Sequence, residues 1–376
     1  MSMQHSPNGS IRRLAPILLS LVLIGCSSAP ATIAPTSTPR PAATPLAPTL
    51  PAPTEVHIEW PTNGWPTSTP EEQGMDGSKL AQLLDKIKEE HLNLNSLLII
   101  RHGYLVSENY FGDYQADTRH ELYSVTKSFV GTLIGIALDQ GKIQGVDQHV
   151  VDFFPGRTFA NLDARKQSMT LEDLLTMQSG LDWQEGDPTY IAIYRSPDWA
   201  QYVLDEPMAE APGSVFNYCS GCSHVLSVIL QQATGQDTRA YADHYLFQPL
   251  GISHVVWDVD STAIAIGGWG LQITPRDMAK LGYLYLHDGL WDGRQIVSAQ
   301  WVKNATRTHV ATGSTLDYGY QWWIAPSAYA ALGRYGQMIY VVPESDLIVV
   351  MTAELANHDP EFQLIQQYIL PAVKGQ

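Results

Sequence analysis

Apolar residues between positions 76 and 110 change from helical to strand spacing. From Asp76 to His91, positions 80, 83, 84 and 87 are apolar and share one helical face, and Asp76 is a candidate N-cap. Two β-rich runs follow, at 96–101 and 104–110, on either side of His102-Gly103. This pattern predicts a helix followed by a two-stranded hairpin.

A continuous apolar run occupies residues 125–138, and Lys127 is the ionisable side chain within it. We predict a buried helix that ends at Gln140-Gly141. Gly131 and Gly135 carry no Cβ and would let another element pack closely against this helix.

From residue 141 to about 254 the pattern stays helical, with many proline and glycine interruptions. One predicted helix is Thr170–Met177, where Thr170 and Asp173 have the spacing of a capping box. A second is Ser223–Ala233.

The last third of the chain alternates between helical and strand patterns. In chain order, it predicts a helix at Pro275–His287, a short helix from Ser298, strands at Tyr320–Ile324, Gln337–Val342 and Asp346–Thr352, and a helix at Glu361–Val373. Strands at both ends of the chain with helices between them predict an α/β (α+β) fold. Its mainly antiparallel sheet is flanked by helices, and residues 141–254 form an inserted helical subdomain.

Composition limits the possible partners. The chain has 376 residues, of which 44% are hydrophobic, enough for one large domain. Its formal net charge of −16 argues against nucleic acid and anionic membrane surfaces as partners. We expect a monomer.

The N-terminus has the features of an export signal at residues 1–25. Arg12-Arg13 precede a short apolar run at 14–24, and the following Gly25-Cys26 resembles a bacterial lipobox. This predicts a cell-envelope lipoprotein with Cys26 as its lipid anchor, and membrane fractionation of a Cys26→Ala variant tests it. A plain signal peptide with an incidental cysteine is the alternative.

Residues 30–53 contain eight prolines, so we expect 26–57 to be an extended linker and 58–376 the folded domain.

The two remaining cysteines, Cys219 and Cys222, are separated by two residues. In an exported chain this spacing is compatible with a local disulfide or with two buried thiols, and both remain open. A second cysteine pair or a paired-histidine spacing is missing from the sequence, so we expect no metal or other cofactor.

Ser124 and Lys127 form the first candidate catalytic pair. Residues three apart share a helical face, so the hydroxyl and the amine can meet. Loss of hydration in apolar surroundings lowers the pKa of a lysine toward the range of a general base. A serine hydroxyl needs such a neighbour to become a nucleophile.

Two further clusters occur later in the chain. Tyr218 and Ser220 lie between a Pro-Gly turn and an apolar helix, where a phenol can project into a cleft. Arg334 and Gly336 precede a strong β run. Taken singly, the first cluster is better explained by packing at a loop–helix junction and the second by a simple entry to a strand.

In this order the three clusters resemble the serine β-lactamase and penicillin-binding protein superfamily, over roughly residues 65–355. The similarity is to the branch of class C β-lactamases, β-lactamase-fold esterases and 6-aminohexanoate-dimer hydrolases. Framework stretches at 174–181, 274–279 and 340–343 also look like that family.

The resemblance implies a serine hydrolase that works through an acyl-enzyme. Ser124 would attack a carbonyl carbon, and Lys127 or Tyr218 would be the base. The backbone N–H groups of Ser124 and Gln337 would hold the oxyanion.

Two departures from the family pattern bear on the substrate. Ser220 replaces an asparagine, and Arg334 replaces a lysine or histidine. Both changes favour esters or unusual amides over β-lactams and D-Ala-D-Ala peptides. Residues expected at the substrate pocket are Ser220, Arg334, Gly336, Asp182, Trp183, Tyr190 and Trp269.

Other hydrolase and binding classes fit less well. The nearest match to a Gly-x-Ser-x-Gly elbow, at 221–225, has valine at its last position. The glycines at 268 and 270 lack the third glycine of a dinucleotide fingerprint, and His-Glu-x-x-His is missing from the sequence. A D-Ala-D-Ala carboxypeptidase, a β-lactamase and a non-catalytic binder of β-lactams or cell-wall peptides remain as alternatives.

Overall fold

The structure is a computed structural model that describes residues 60–374. The predicted signal peptide, Cys26 and the proline-rich linker lie outside these residues. Between residues 60 and 374, every helix is too short or too polar to cross a membrane.

The helices are distributed along the whole described range. In chain order they are α1 Gly77–Glu89, α2 Thr126–Asp139, α3 Ala164–Ser168, α4 Leu171–Leu175, α5 Asp187–Arg195, α6 Trp199–Asp205, α7 Ser220–Thr234, α8 Thr238–Ala242, α9 Gln248–Leu250, α10 Pro275–Leu286, α11 Ala299–Ala305 and α12 Asp359–Leu364. Short 3-10 turns include Tyr123–Val125 and Leu370–Ala372, and π-helical turns span Asp243–Phe247 and Ile365–Ile369.

The strands come mainly from the two ends of the described range. They are β1 Leu94–Arg101, β2 Tyr104–Tyr110, β3 His120–Glu121, β4 Val256–Trp257, β5 Leu271–Ile273, β6 Leu290–Trp291, β7 Arg294–Gln295, β8 Asp317–Tyr318, β9 Trp323–Ala325, β10 Ala328–Gly333, β11 Gln337–Val342 and β12 Leu347–Ala353.

Seven of these strands form one antiparallel sheet in the order β2-β1-β12-β11-β10-β9-β8. Between β10 and β11, Gly333 pairs with Gln337, so residues 334–336 form the turn of a hairpin. The predicted antiparallel sheet is therefore confirmed, and the third sequence cluster lies at a hairpin turn.

The sheet separates two hydrophobic cores. Along β12, Ile348 and Val350 face a core that includes α2 and α10, whereas Val349 and Met351 face a core that includes α1 and the C-terminal helices. This alternation follows from the two-residue period of a strand. A sheet buried on both faces explains why β12 is apolar throughout.

Helix α2 is buried on every side, because its sequence is apolar on every side. A Cβ added at Gly135 would lie 2.5 Å from the Trp301 ring, and one at Gly131 would lie 3.3 Å from the Gln321 Cβ. The two glycines therefore allow the close packing that the sequence predicts.

Residues 141–254 contain helices and turns as their main elements, as predicted, and Thr170 and Asp173 make the capping box of α4. Helix α7 begins at Ser220, three residues before the predicted start. The Cys219 side chain caps it, with Sγ accepting the Cys222 N–H at 2.9 Å. Cys219 and Cys222 form a disulfide, so of the two alternatives, a local disulfide and two buried thiols, the first is correct.

Two predictions near the C-terminus are wrong in their boundaries. The predicted strand Tyr320–Ile324 is displaced to β9, and the sequence does not predict β10, whose Ala-Tyr-Ala-Ala-Leu composition favours a helix. Pairing with β9 and β11 overrides that local preference. The last helix is α12 followed by π and 3-10 turns around Pro371, since proline interrupts regular helical bonding.

Candidate active site

Ser124 lies in the 3-10 turn Tyr123–Val125, which continues directly into α2. The end of β10 packs against this turn. A Cβ added at Gly333 would lie 2.3 Å from the Leu122 carbonyl oxygen and 3.3 Å from the Ser124 nitrogen. Because Gly333 has no side chain, the sheet can approach the backbone of the serine closely.

The Lys127 amine lies one helical turn beyond Ser124 and is almost completely buried. Its Nζ is 2.9 Å from Ser124 Oγ, 2.9 Å from Ser220 Oγ and 2.8 Å from the Gly268 carbonyl oxygen. Burial lowers the pKa of Lys127 to about 8, although the negative charge of Glu185 opposes this shift. The lysine is therefore available as a neutral base near pH 8.

The Gly268 carbonyl reaches Lys127 because the segment 267–268 lies directly on α7. A Cβ at Gly267 would be 2.1 Å from the Ser223 carbonyl oxygen, and one at Gly268 would be 2.6 Å from the Ser220 carbonyl oxygen. A buried pair anchors this segment. His224 Nε2 donates to Asp260 at 3.1 Å, and the Gly267 N–H donates to His224 Nδ1 at 3.4 Å.

Tyr218 precedes α7 and faces the same serine. The side chain of Ser124 acts on the Tyr218 hydroxyl and opposes the rise in its pKa, and Lys127 Nζ lies 4.9 Å from the Tyr218 ring centroid. The ring stacks on Trp323, with centroids 5.8 Å apart. Desolvation raises the pKa of Tyr218 well above its ordinary value, so the phenol keeps its proton at neutral pH. The structure thus brings Ser124, Lys127 and Tyr218 together.

Glu185 is a residue of this site that the sequence analysis missed. Its Oε1 accepts from the Tyr190 hydroxyl and from Ser220 Oγ, the latter at 2.5 Å. Its Oε2 accepts from Trp183 Nε1 at 2.6 Å and from the Ser220 N–H at 3.1 Å. Burial opposes ionisation, but the charge of Lys127 and these hydrogen bonds keep the pKa of Glu185 below its ordinary value. In the sequence Glu185 lies between Trp183 and Tyr190, which were both expected at the substrate pocket. That position is the sequence feature that could have pointed to Glu185.

A cavity of about 480 Å³ opens above Ser124. Tyr190, Trp269, Ser220 and Arg334 are among its lining residues, as expected. The rings of Tyr190 and Trp269 meet edge to face at 5.2 Å and form an aromatic wall.

Three residues expected at the pocket are not among its lining residues, namely Gly336, Trp183 and Asp182. Trp183 is buried behind the cavity wall, because its indole N–H is committed to Glu185. Asp182 is exposed and is not a lining residue of this cavity.

The hairpin turn between β10 and β11 reaches the cavity through Arg334. The Arg334 guanidinium lies 4.7 Å from the ring centroid of Tyr335. Gly336 has a φ of +90°, and a Cβ there would be 2.8 Å from the Ala353 Cβ. Gln337 Nε2 donates to the Arg334 carbonyl at 3.2 Å and to the Ala353 carbonyl at 2.8 Å, which ties the turn to β12.

Tyr123 and Tyr335 both have positive φ, 47° and 65°, and their rings meet edge to face at 5.3 Å. Left-handed backbone in bulky residues is strained and is characteristic of functional sites.

Among residues 60–374, no group of three or more His, Cys, Asp or Glu side chains is arranged to hold a metal ion.

Comparison with known proteins identifies the family and the fold of this chain. The sequence model of the family described as beta-lactamase matches residues 80–374. The chain is 25% identical to the 6-aminohexanoate-dimer hydrolase of Paenarthrobacter ureafaciens over 322 residues, which cover 78% of this chain and 81% of the relative. It is 28% identical to esterase EstB of Burkholderia gladioli over 204 residues, or 47% of this chain and 52% of that protein.

Among solved structures, EstCE1, a hydrolase with promiscuous acyltransferase activity, superimposes with a TM-score of 0.66. The sequences are 18% identical, and the match covers 80% of this chain and 98% of the other. At this level of identity the likeness supports the fold.

Proposed function

The chain belongs to the beta-lactamase family of serine hydrolases, and we propose that it cleaves carboxylic esters or linear amides through an acyl-enzyme on Ser124. The observation that carries this proposal is the 2.9 Å distance between Ser124 Oγ and the buried Lys127 Nζ at the floor of an open cavity. A desolvated amine with a pKa of about 8 is a suitable base for a serine hydroxyl.

Acylation begins when Ser124 Oγ attacks the substrate carbonyl carbon and passes its proton to Lys127 Nζ. The carbonyl π electrons move onto the substrate oxygen, where the backbone N–H groups of Ser124 and Gln337 stabilise the negative charge. Lys127 is the base because Tyr218 retains its proton, as the raised pKa of the phenol indicates.

The tetrahedral intermediate collapses when the bond to the leaving group breaks. Tyr218 donates its proton to the leaving oxygen or nitrogen and is reprotonated by the Lys127 ammonium. Water then attacks the acyl-enzyme, with the neutral lysine taking the water proton. As the bond from the acyl carbon to Ser124 Oγ breaks and the acid is released, the Lys127 ammonium gives that proton to Ser124 Oγ.

The cavity favours an acyl group with an apolar or aromatic portion. Tyr190 and Trp269 supply an aromatic wall, and Arg334 supplies a positive charge that can face a carboxylate. The names of the two relatives, 6-aminohexanoate-dimer hydrolase and esterase EstB, support linear amides and carboxylic esters as the substrate classes. A β-lactamase or D-Ala-D-Ala carboxypeptidase activity is the second candidate, since a penicillin-binding protein homolog from Caulobacter crescentus has the same fold.

A hydrolysis panel tests the proposal. We expect turnover of short-chain p-nitrophenyl esters or of the linear 6-aminohexanoate dimer, and much slower turnover of nitrocefin and of a D-Ala-D-Ala peptide. Turnover confined to nitrocefin or to the D-peptide would establish the second candidate instead. Stoichiometric labelling by fluorescent penicillin without turnover of any panel member would indicate a binding protein.

A further inference from the structure

We propose that Glu185 is a positioning residue that acts through the Ser220 hydroxyl to aim the lone pair of the neutral Lys127 amine at Ser124. This inference deepens the proposed function and rests on it. It concerns a residue 58 positions beyond Lys127 in the chain that no sequence motif marks.

The first step is the direction of the hydrogen bond between Ser220 and Glu185. A carboxylate has only acceptor sites, so at an Oγ–Oε1 distance of 2.5 Å the Ser220 hydroxyl must donate to Glu185. Ser220 has one hydroxyl hydrogen, and it is used here. Towards Lys127 Nζ, at 2.9 Å, Ser220 Oγ can therefore only accept.

The second step is the count of hydrogens on Lys127. A neutral amine has two N–H groups and one lone pair. The Gly268 carbonyl oxygen, at 2.8 Å, is also only an acceptor, so it and Ser220 take both N–H groups. Ser124 Oγ, at 2.9 Å, is the third neighbour and faces the lone pair.

The third step is the chemistry that this arrangement allows. The Ser124 O–H bond breaks, its proton forms a third N–H bond on Lys127, and the Oγ electron pair forms the bond to the substrate carbonyl carbon. The ammonium then donates to Ser124, Ser220 and Gly268 together. No side chain has to rotate between the two states.

The carboxylate of Glu185 is needed because it takes four donors. Each oxygen accepts two of them: the hydroxyls of Tyr190 and Ser220 on Oε1, and the N–H groups of Trp183 and Ser220 on Oε2. A glutamine has one acceptor oxygen, and its NH₂ would face two of these donors. With the NH₂ at the position of Oε1, the Ser220 hydroxyl would be free to donate to Lys127, which would occupy the lone pair and turn an N–H towards Ser124. With the NH₂ at the position of Oε2, it would face the N–H groups of Trp183 and Ser220 and could accept from neither.

The charge of Glu185 supports the same role. Its carboxylate is the charged group that raises the pKa of Lys127 against the effect of burial. The other titratable groups near Lys127 are the phenol of Tyr218 and the side chains that line the adjoining cavity, namely Asp187, Arg334, Tyr123, Tyr190 and Tyr194. Removing the carboxylate charge should therefore move the acidic limb of the kcat/KM profile to lower pH.

A double-mutant cycle on the full chain tests the proposal with a p-nitrophenyl ester. We expect Glu185→Gln and Ser220→Ala each to lower kcat at least about tenfold, with KM changed by less than about threefold. The double variant should be no slower than the slower single variant, because both changes disturb one hydrogen-bonded unit. Glu210→Gln, which removes an exposed carboxylate outside the cavity, is the matched control and should keep wild-type kcat.

Three outcomes would overturn the role of Glu185 while leaving the proposed function intact. They are multiplicative losses in the double variant, a raised KM with unchanged kcat in Glu185→Gln, and an unshifted acidic limb in that variant. If Glu185→Gln does not fold, Ser220→Ala decides alone, and unchanged kcat in it contradicts the proposal. A wild-type protein that cleaves no ester or amide refutes the proposed function itself, so the two failures are distinguishable.

Discussion

A Ser124→Ala variant is expected to lose hydrolysis of every substrate that the wild type cleaves, by at least about 10⁴-fold. The variant retains Lys127, Tyr218 and the cavity, but it has no atom that can bond to the carbonyl carbon. Because the Ser124 side chain is small and lies in the turn that leads into α2, the fold should persist. Labelling by a fluorophosphonate, followed by mass spectrometry of the modified peptide, measures the same loss without a substrate.

The matched control is Ser128→Ala. Ser128 lies one turn further along α2, is buried, and donates to the Gln321 carbonyl at 2.7 Å. It should be labelled like the wild type, since its hydroxyl is committed to the backbone away from Lys127. Unchanged labelling of Ser124→Ala would show that another residue is the nucleophile and would end the proposed mechanism.

A Lys127→Ala variant is expected to lower kcat for a p-nitrophenyl ester by about 10³-fold or more. The serine then has no neutral amine at 2.9 Å to take its proton. The wild-type pH profile provides the companion measurement. The base must be unprotonated, so kcat/KM should rise with pH and reach half of its maximum near pH 8, the pKa to which burial lowers Lys127.

Tyr218→Phe separates the leaving-group step from the attack. The phenylalanine ring keeps the stacking on Trp323, but it has no hydroxyl to protonate a departing group. The loss should be larger for a linear amide than for a p-nitrophenyl ester, since nitrophenolate leaves without a proton. Equal losses on both substrates would show that Tyr218 does not protonate the leaving group. For the preceding prediction, a wild-type kcat/KM that stays constant between pH 6 and 9 would show that Lys127 is not the base.

Local patterns were sufficient for several parts of this molecule. The pair Ser124 and Lys127 follows from the three-residue spacing at the start of a helix, and the burial of α2 follows from its apolar composition. The hairpin β1–β2 and the helix α10 follow from their periods in the same way. In each case the interacting residues are close in the chain, so short-range periodicity contains the information.

The strand β10 shows where local pattern is insufficient. Its alanine-rich sequence favours a helix, yet it lies between β9 and β11 in the sheet. Backbone hydrogen bonds to the neighbouring strands and burial of both faces make this segment a strand. Their contribution exceeds the preference of its alanines for a helix, which is less than about 1 kcal/mol per residue.

The sequence alone was enough for the serine–lysine pair, helix α2 and the β1–β2 hairpin, because each depends on residues a few positions apart. Only the tertiary structure decided the surroundings of the amine. Lys127 meets Ser220 from 93 positions away and Gly268 from 141 positions away. Burial of the two cores and the close glycine contacts bring these segments together, and such packing energies act between elements that no local spacing connects.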